Sequence, residues 1–173
     1  GADGIREKDG VKLSFRHSTT AGNQTRENLQ LLFQQNLKDI GVEMIIDNSP
    51  AATLFGGCAN SGVFGSGNFD MLGFANKPTG IDLAVEWSDF FVSSAIKDCA
   101  TNPAGTNAWG FSDEAVDVEF AKVLSELDPD KRLTAIKNVQ KLIYDQYQVL
   151  YVYDRLDNYA VSDGVTGVQP TVF

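Results

Sequence analysis

The stretch Asn68-Phe-Asp-Met-Leu-Gly-Phe-Ala75 reads as an apolar β-strand, and it decides the fold that we predict. Its apolar residues leave no clean polar face, which is typical of a strand covered by helices on both sides of a sheet. We therefore expect it at the centre of an open sheet. The loop that follows, residues 76–82, is rich in Pro, Gly and polar groups, and ligands of open α/β sheets bind beyond the carboxyl ends of strands. This loop is the first candidate for a site, and the candidate depends on the strand being central.

The residues before this stretch predict a β-hairpin and then a strand–helix–strand unit. Asp9-Gly10 is a strong hairpin turn signal, and apolar residues at helical spacing predict a helix over residues 23–40 that ends at Gly41. Val42–Ile46 follows as a strand, and this order normally makes a parallel crossover.

The residues after it predict two helices and a last strand. Ser112 is a good N-cap for the first helix, and Asp128-Pro129 ends that helix and begins the next. Val149–Tyr153 is predicted to be the last apolar strand. The sequence therefore predicts an α/β fold with one open mixed sheet flanked by helices.

Residues 56–67 carry five glycines and invite comparison with a phosphate-binding loop. The phosphate fingerprints place their glycines between a strand and a helix, or before Gly-Lys-Ser/Thr, and neither context is present. We predict a flexible loop that lies beside a ligand.

Composition indicates a globular protein that does not bind nucleic acid by electrostatics. The 173 residues are 43% hydrophobic and 21% charged, enough for one compact domain with a core. The net charge of −9, the pI near 4.5 and the lack of a Lys/Arg cluster argue against a phosphate-binding surface.

Neither a membrane span nor a signal peptide is visible in the sequence. No window approaches 18 consecutive apolar residues. The first residues, Gly1–Gly4, read as a loop without an initiating Met, so we expect a processed chain or a piece of a longer protein.

The two cysteines, Cys58 and Cys99, allow one disulfide or two free thiols. A bridge would close a loop of about 40 residues and contribute roughly 3 to 4 kcal/mol on the chain-entropy estimate. The polar loop sequence around both residues favours the bridge.

No reactive constellation is visible. His17 is the one histidine and has no nucleophile motif to serve, so an ordinary strand-end histidine is the simpler interpretation. Zinc would require several His or Cys ligands at short spacing. The acidic residues Asp113 and Glu114 stand at a helix start, where a carboxylate offsets the helix dipole. We expect a binding protein, not an enzyme, with no metal and no cofactor.

Two alternatives stay open at this stage. One is a small hydrolase that uses Asp70 or the carboxylates around Asp82. The other is a protein-interaction module whose acidic helical face, Asp113, Glu114 and Asp117, docks a partner.

An ordered set of short motifs resembles the extracellular solute-binding proteins of ABC importers, in the peptide/nickel class. The set covers nearly the whole chain in the same order, and each piece by itself is weakly specific. The motifs are Asp3–Gly10, Leu37–Val42, Asn68–Met71, Asn107-Ala-Trp-Gly-Phe-Ser-Asp-Glu-Ala-Val-Asp117, Leu127–Arg132, Val139–Ile143 and Val149–Asp154.

The resemblance implies a two-lobed protein that closes on its ligand, of which residues 1–173 resemble the second, C-terminal lobe alone. That lobe is α/β and has the type II fold of periplasmic binding proteins. The implied partners are a peptide or other small solute, the first lobe of the same protein and the permease subunits of the importer. The implied location is periplasmic or at the cell surface, with a lipoprotein-type signal on the longer chain. We expect the isolated piece to be monomeric.

One departure from the family pattern bears on the ligand. Peptide binders of this class carry a Gly-Trp pair and then an acidic residue after the strand, where this chain has Ala75, Asn76 and Thr79. The nearest acid, Asp82, is three residues late. This departure argues against an oligopeptide as the ligand. It does not affect the expectation that the protein binds a ligand. The predicted ligand-binding residues are Phe74, Ala75, Asn76, Lys77, Thr79, Trp87, Trp109 and Phe111.

Overall fold

The protein is described by a computed structural model that covers residues 1–76, 82–154 and 160–169. The predicted site residues Lys77 and Thr79 lie outside these described residues. The strands are β1 (Glu7–Lys8), β2 (Val11–Lys12), β3 (Ser14–Ser18), β4 (Glu43–Ile46) and β5 (Met71–Leu72). The helices are α1 (Gln24–Asp39), α2 (Ala51–Leu54), α3 (Val63–Ser66), α4 (Leu83–Ser88), α5 (Glu114–Ser125) and α6 (Pro129–Asp145), with 3-10 turns at Cys58–Asn60 and Ser93–Ala95.

The chain divides into two compact units. The first unit comprises Gly1–Asn76 and Ser94–Gly110 and holds all five strands with α1 to α3. The second unit comprises Lys77–Ser93 and Phe111–Phe173 and holds α4 to α6. The α/β class is as the sequence predicted. That residues 1–173 form one lobe stays a prediction.

The first unit is built on a three-stranded parallel sheet in the order β4-β3-β5. The predicted hairpin forms separately as the antiparallel pair β1-β2, with Asp9 and Gly10 both at positive φ in its turn. The helix α1 connects β3 to the parallel strand β4, as the strand–helix–strand pattern predicted. Asn23 caps α1 by accepting a hydrogen bond from Arg26 N. Gly41 has the positive φ of a C-terminal cap.

The prediction that Asn68–Ala75 forms the central strand is wrong. Within the described sheet β3 is central, and β5 lies at the edge and comprises only two residues. Asp70 supplies the physical reason for the shortness of β5, because its Oδ2 accepts the Arg16 backbone N–H at 2.7 Å at the point where a longer β5 would have continued the ladder. Asn68 N donates instead to Val63 O at 3.0 Å, so the stretch begins as a turn packed on α3.

The predicted strand Val149–Tyr153 is also wrong: these residues adopt no regular structure, and all of them except the half-buried Val149 are exposed. A strand requires a neighbour for its backbone groups, and no ladder of the described residues includes this stretch.

The second unit has a conventional apolar core between its helices. The helix α5 is capped by Asp113, one residue later than the predicted Ser112, and Val116, Phe120 and Val123 of this helix are buried. Asp128 caps α6 with Pro129 in its first turn, as predicted. The buried residues of α6 are Ala135, Val139 and Ile143.

Candidate functional site

The carboxyl ends of three parallel strands meet at one edge of the first unit. Because β3, β4 and β5 run in the same direction, the loops after Ser18, Ile46 and Leu72 all leave from this edge. Gly73 N donates to Ser18 O at 2.8 Å, and Ser49 N donates to Thr19 O at 3.2 Å. The sequence argument for this site required Asn68–Ala75 to be the central strand, and that premise fails because β5 lies at the edge of the described sheet. The candidate edge rests instead on the parallel arrangement of the three strands.

A buried network of polar side chains lies under this edge. The amides of Gln30 and Asn48 bond each other reciprocally, at 2.9 Å and 2.8 Å. Asn48 Oδ1 also accepts the Thr19 backbone N–H at 3.1 Å, and the Thr19 hydroxyl donates to Gly73 O at 2.6 Å. Gln30 belongs to α1, Thr19 to the loop after β3 and Asn48 to the loop after β4. The network therefore ties these three parts of the chain to the end of β5. The apolar spacing of α1 gave no sign that its buried residue would be Gln30.

His17 belongs to this network; it lies at the end of β3, as predicted, and it is buried. Gln30 Nε2 lies 2.7 Å from His17 Nδ1. Since an amide nitrogen can only donate, Nδ1 accepts and the ring is neutral with its proton on Nε2. Burial lowers the pKa of His17, which favours the same neutral form.

A surface of five aromatic side chains adjoins the edge, and we call it the aromatic surface. Phe64 lies at its centre, with ring centroids 6.1 Å from Phe74, 6.3 Å from Trp109 and 6.5 Å from Phe69. Phe55 packs against Phe74 at 5.8 Å and is 45% exposed. None of the five is buried, although aromatic rings of this size are usually packed inside. Phe74 and Trp109 are among the predicted site residues, whereas Phe55, Phe64 and Phe69 are not.

The glycine-rich loop beneath the aromatic surface is closely packed. A Cβ atom added at Gly62 or Gly65 would collide with the Gly56 backbone, and Gly65 would also meet Gly57 Cα at 2.9 Å. The glycines of this loop therefore permit two stretches of backbone to approach each other closely. The sequence predicted only a flexible loop and gave no sign of this packing.

Cys58 and Cys99 form a disulfide, with Cα atoms 5.5 Å apart. The Gly65 carbonyl oxygen lies 3.4 Å from the sulfur of Cys58 and 3.2 Å from that of Cys99. The bridge joins the glycine-rich loop to the segment that ends with Trp109 and Gly110.

The remaining described site residues are distributed over both units. Ala75 and Asn76 are exposed at the end of the β5 segment in the first unit. Trp87 is half-buried in the second unit and packs on Phe90 at 5.5 Å. Phe111 is 4% exposed and packs edge-on against Phe91 at 6.0 Å, as a core residue of the second unit. Its predicted role as a ligand contact stays untested, and its burial does not favour that role.

The carboxylates of the hydrolase alternative have structural partners. Asp70 accepts from the backbone of Arg16 and lies 3.4 Å from its Nε, and these contacts lower the pKa of Asp70. Asp82 caps α4 through Val85 N and pairs with Arg132 at 2.5 Å. Both groups are thus explained without a reaction.

Two acidic residues of the interaction-module alternative are engaged within the second unit as well. Asp113 accepts from Ala115 N at 2.8 Å and from the Gln146 amide, and these hydrogen bonds lower its pKa. Asp117 accepts from Ser93 N at 2.8 Å and from the Ser93 hydroxyl. Both carboxylates therefore stabilise local structure.

Among the described residues, no helix combines the length and the apolar character needed to cross a membrane. The same residues contain no group of three or more His, Cys, Asp or Glu side chains placed to hold a metal ion.

Solved structures with a similar fold are binding proteins for peptides and nickel. The oligopeptide-binding protein of Thermus thermophilus, complexed with a pentapeptide, matches 84% of the chain at 25% identity and a TM-score of 0.70. AppA of Bacillus subtilis, in complex with a nonapeptide, matches 83% at 28% identity and a TM-score of 0.65. NikZ of Campylobacter jejuni, in complex with Ni(L-His), matches 85% at 24% identity and a TM-score of 0.69.

Sequence comparison leads to the same group. The oligopeptide-binding protein AppA of Bacillus subtilis is 48% identical over 42 residues, which are 24% of this chain and 8% of AppA. No family model matches the chain. The chain spans about a quarter of the length of the three solved structures, at 25%, 26% and 27%. It thus resembles the solute-binding proteins of the peptide/nickel class, as its motifs predicted.

Proposed function

We propose that this chain is part of the substrate-binding subunit of an ABC importer and supplies one lobe of its ligand cleft. The similarity of fold over 85% of the chain, to proteins of which it spans about a quarter, carries the proposal. The proposed protein works outside the cytoplasm, binds a small solute without breaking a bond and delivers it to a membrane permease. A lipid anchor on the longer chain remains an expectation.

The ligand-facing part of the first unit is proposed to be the carboxyl edge with the aromatic surface. Ala75 and Asn76 are exposed there and would offer backbone groups, while Phe55, Phe74 and Trp109 would offer ring faces. Partly exposed aromatic rings are frequent anchors in binding sites because they bury a large area at a small cost in side-chain entropy. We leave Phe111 out of this surface because it is buried.

This proposal favours ligands that carry an apolar or ring-shaped group. The chain lacks the Gly-Trp pair and the acid of peptide binders at Ala75, Asn76 and Thr79, so the ligand's amino group would need another partner. Closure of the two lobes would follow ligand binding as a shift between open and closed states.

The test is calorimetry on the full-length protein that contains this chain, with three probes: a pentapeptide mixture, a nonapeptide and the nickel complex of L-histidine. Trp109→Ala is expected to lower the affinity for whichever probe binds by about 30-fold, which is the effect of removing an aromatic anchor. Asn76→Ala is expected to weaken it less. Tyr151→Ala, which removes an exposed aromatic ring outside the aromatic surface, is the control. Unchanged affinity in both site variants would refute the assignment.

The hydrolase alternative predicts turnover, and Asp70→Asn would abolish it. The proposal predicts no product from any probe after prolonged incubation. Chromatography of the recovered probe separates the two.

A further inference from the structure

The backbone of Gly73 is fixed from three directions at the point where β5 ends. Its N–H donates to Ser18 O at 2.8 Å, and its carbonyl oxygen accepts the Thr19 hydroxyl at 2.6 Å. A Cβ atom at this position would lie 2.9 Å from His17 Cε1 and 3.0 Å from His17 Nε2, so the imidazole ring covers the third side. Phe74, which precedes the exposed Ala75, therefore follows a residue whose backbone is held in place.

Thr19 is itself held rigidly. Its side chain is fully buried at 0% exposure, and its N–H donates to Asn48 Oδ1, whose amide is paired with Gln30. A hydroxyl that is placed by such a network can hold its acceptor in one position, because its own residue is fixed by burial and by the hydrogen bond to Asn48.

We infer that Thr19 is a positioning residue for ligand binding: its hydroxyl holds the Gly73 carbonyl and so fixes the backbone from which Phe74, Ala75 and Asn76 project. The strand β5 ends at Leu72; the N–H of Gly73 still bonds the backbone of β3, whereas its carbonyl oxygen is bonded by the Thr19 hydroxyl. Fixing this segment before the ligand arrives removes part of the ordering cost of binding. The inference rests on the proposed function, since it assigns Thr19 to the ligand-facing edge proposed above.

Three variants of the full-length protein test the inference. Thr19→Val removes the hydroxyl and keeps the backbone N–H that bonds Asn48. Thr19→Ser retains the hydroxyl. Thr20→Val is the matched control, because Thr20 is also buried and its hydroxyl bonds Arg26 but not Gly73.

The first measurement is amide hydrogen exchange, followed by mass spectrometry of a peptide that covers residues 71–76. Loss of one hydrogen bond is expected to speed exchange in this peptide about fivefold in Thr19→Val. Thr19→Ser and Thr20→Val should exchange there as the wild type does. A general loss of stability would instead raise exchange throughout the protein in both Val variants.

The second measurement is calorimetry with the pentapeptide mixture, the nonapeptide and the nickel–histidine complex. Thr19→Val is expected to lower the affinity for the probe that binds roughly five- to tenfold. The two other variants are expected to lower it less than about twofold. Wild-type exchange in the 71–76 peptide of Thr19→Val overturns the inference, as does wild-type affinity despite faster exchange. If the wild type binds none of the probes, the proposed ligand classes fail, while the exchange contrast between Thr19→Val and Thr20→Val still decides whether Thr19 fixes this backbone.

Discussion

The two units of this chain bury different kinds of side chain. Among the described residues of the second unit, the buried side chains are apolar with the exception of Ser88. The first unit buries few apolar residues, among them Met44 and Leu54, and its buried polar residues outnumber them. These polar residues are His17, Ser18, Thr19, Thr20, Gln30 and Asn107.

The difference shows which kind of interaction fixes the side-chain positions in each unit. Apolar burial is non-directional, so the core of the second unit does not by itself fix the positions of individual polar atoms. A buried polar group must find its partner at a set distance and angle, and a network of them therefore specifies positions. The first unit has such a network under its carboxyl edge, together with a disulfide and glycines that allow no added methyl group.

The largest effect that we expect from a single change comes from the apolar core of the second unit. Phe120 is 3% exposed on α5, and Phe120→Ala should lower the free energy of unfolding by about 3 to 5 kcal/mol, since it removes buried surface and leaves a cavity. Denaturant unfolding followed by the fluorescence of Trp87, in a Trp109→Phe background, measures this unit.

Leu124→Ala on the same helix is the control, because Leu124 is 56% exposed and should lose less than about 1 kcal/mol. Equal losses for the two variants would show that α5 does not bury the face described here, and the comparison between the units would fail.

Removing the disulfide should have a smaller effect, located in the first unit. The Cys58→Ser/Cys99→Ser double variant is expected to lose about 2 to 4 kcal/mol, because the bridge closes a sequence separation of 41 residues in the unfolded chain. Trp109 fluorescence in a Trp87→Phe background reports on this unit.

A phosphine reductant should reproduce the effect in the wild type and leave the double variant unchanged. If the unfolding transition reported by Trp109 fluorescence has the same denaturant midpoint with and without the bridge, then the disulfide contributes nothing to the stability of the first unit.

Prediction from sequence succeeded where a signal is local. Asp9-Gly10 makes its turn, Gly41 ends α1 and Asp128-Pro129 begins α6, because capping and turn formation depend on residues only a few positions apart. The strand–helix–strand order also gave the parallel pair β3-β4 correctly.

Prediction failed where the outcome depends on distant partners. The apolar stretch before Ala75 was expected to be central, but Asp70 accepts the Arg16 N–H and shortens β5 to an edge of two residues. Nothing in the spacing of α1 shows that Gln30 meets Asn48 and His17. Phe55, Phe64 and Phe69 lie on three different segments, so only the folded chain brings them together with the predicted Phe74.

The smallest expected effect concerns pH and separates the polar interior of the first unit from the apolar interior of the second. Burial lowers the pKa of His17 below its ordinary value of 6.5 in the folded state. The unfolded chain therefore binds a proton at a higher pH than the folded chain does. It follows that this residue's contribution to the free energy of unfolding is fully present above about pH 6.5 and is lost as the pH falls toward the folded-state pKa.

Denaturant unfolding between about pH 5 and pH 7.5 measures this dependence, with His17→Gln as the control that cannot titrate. The window is above the range in which Asp70 and Asp113 respond: hydrogen bonds hold the pKa values of both residues below 3.8, so their contributions are lost only in more acidic solution. We expect the wild type to lose stability in this window, and His17→Gln to lose much less. Protonation places a proton on Nδ1, which can then no longer accept from the Gln30 amide. Parallel curves for the two proteins would therefore mean that loss of this hydrogen bond costs no measurable stability, and the pH prediction would fail.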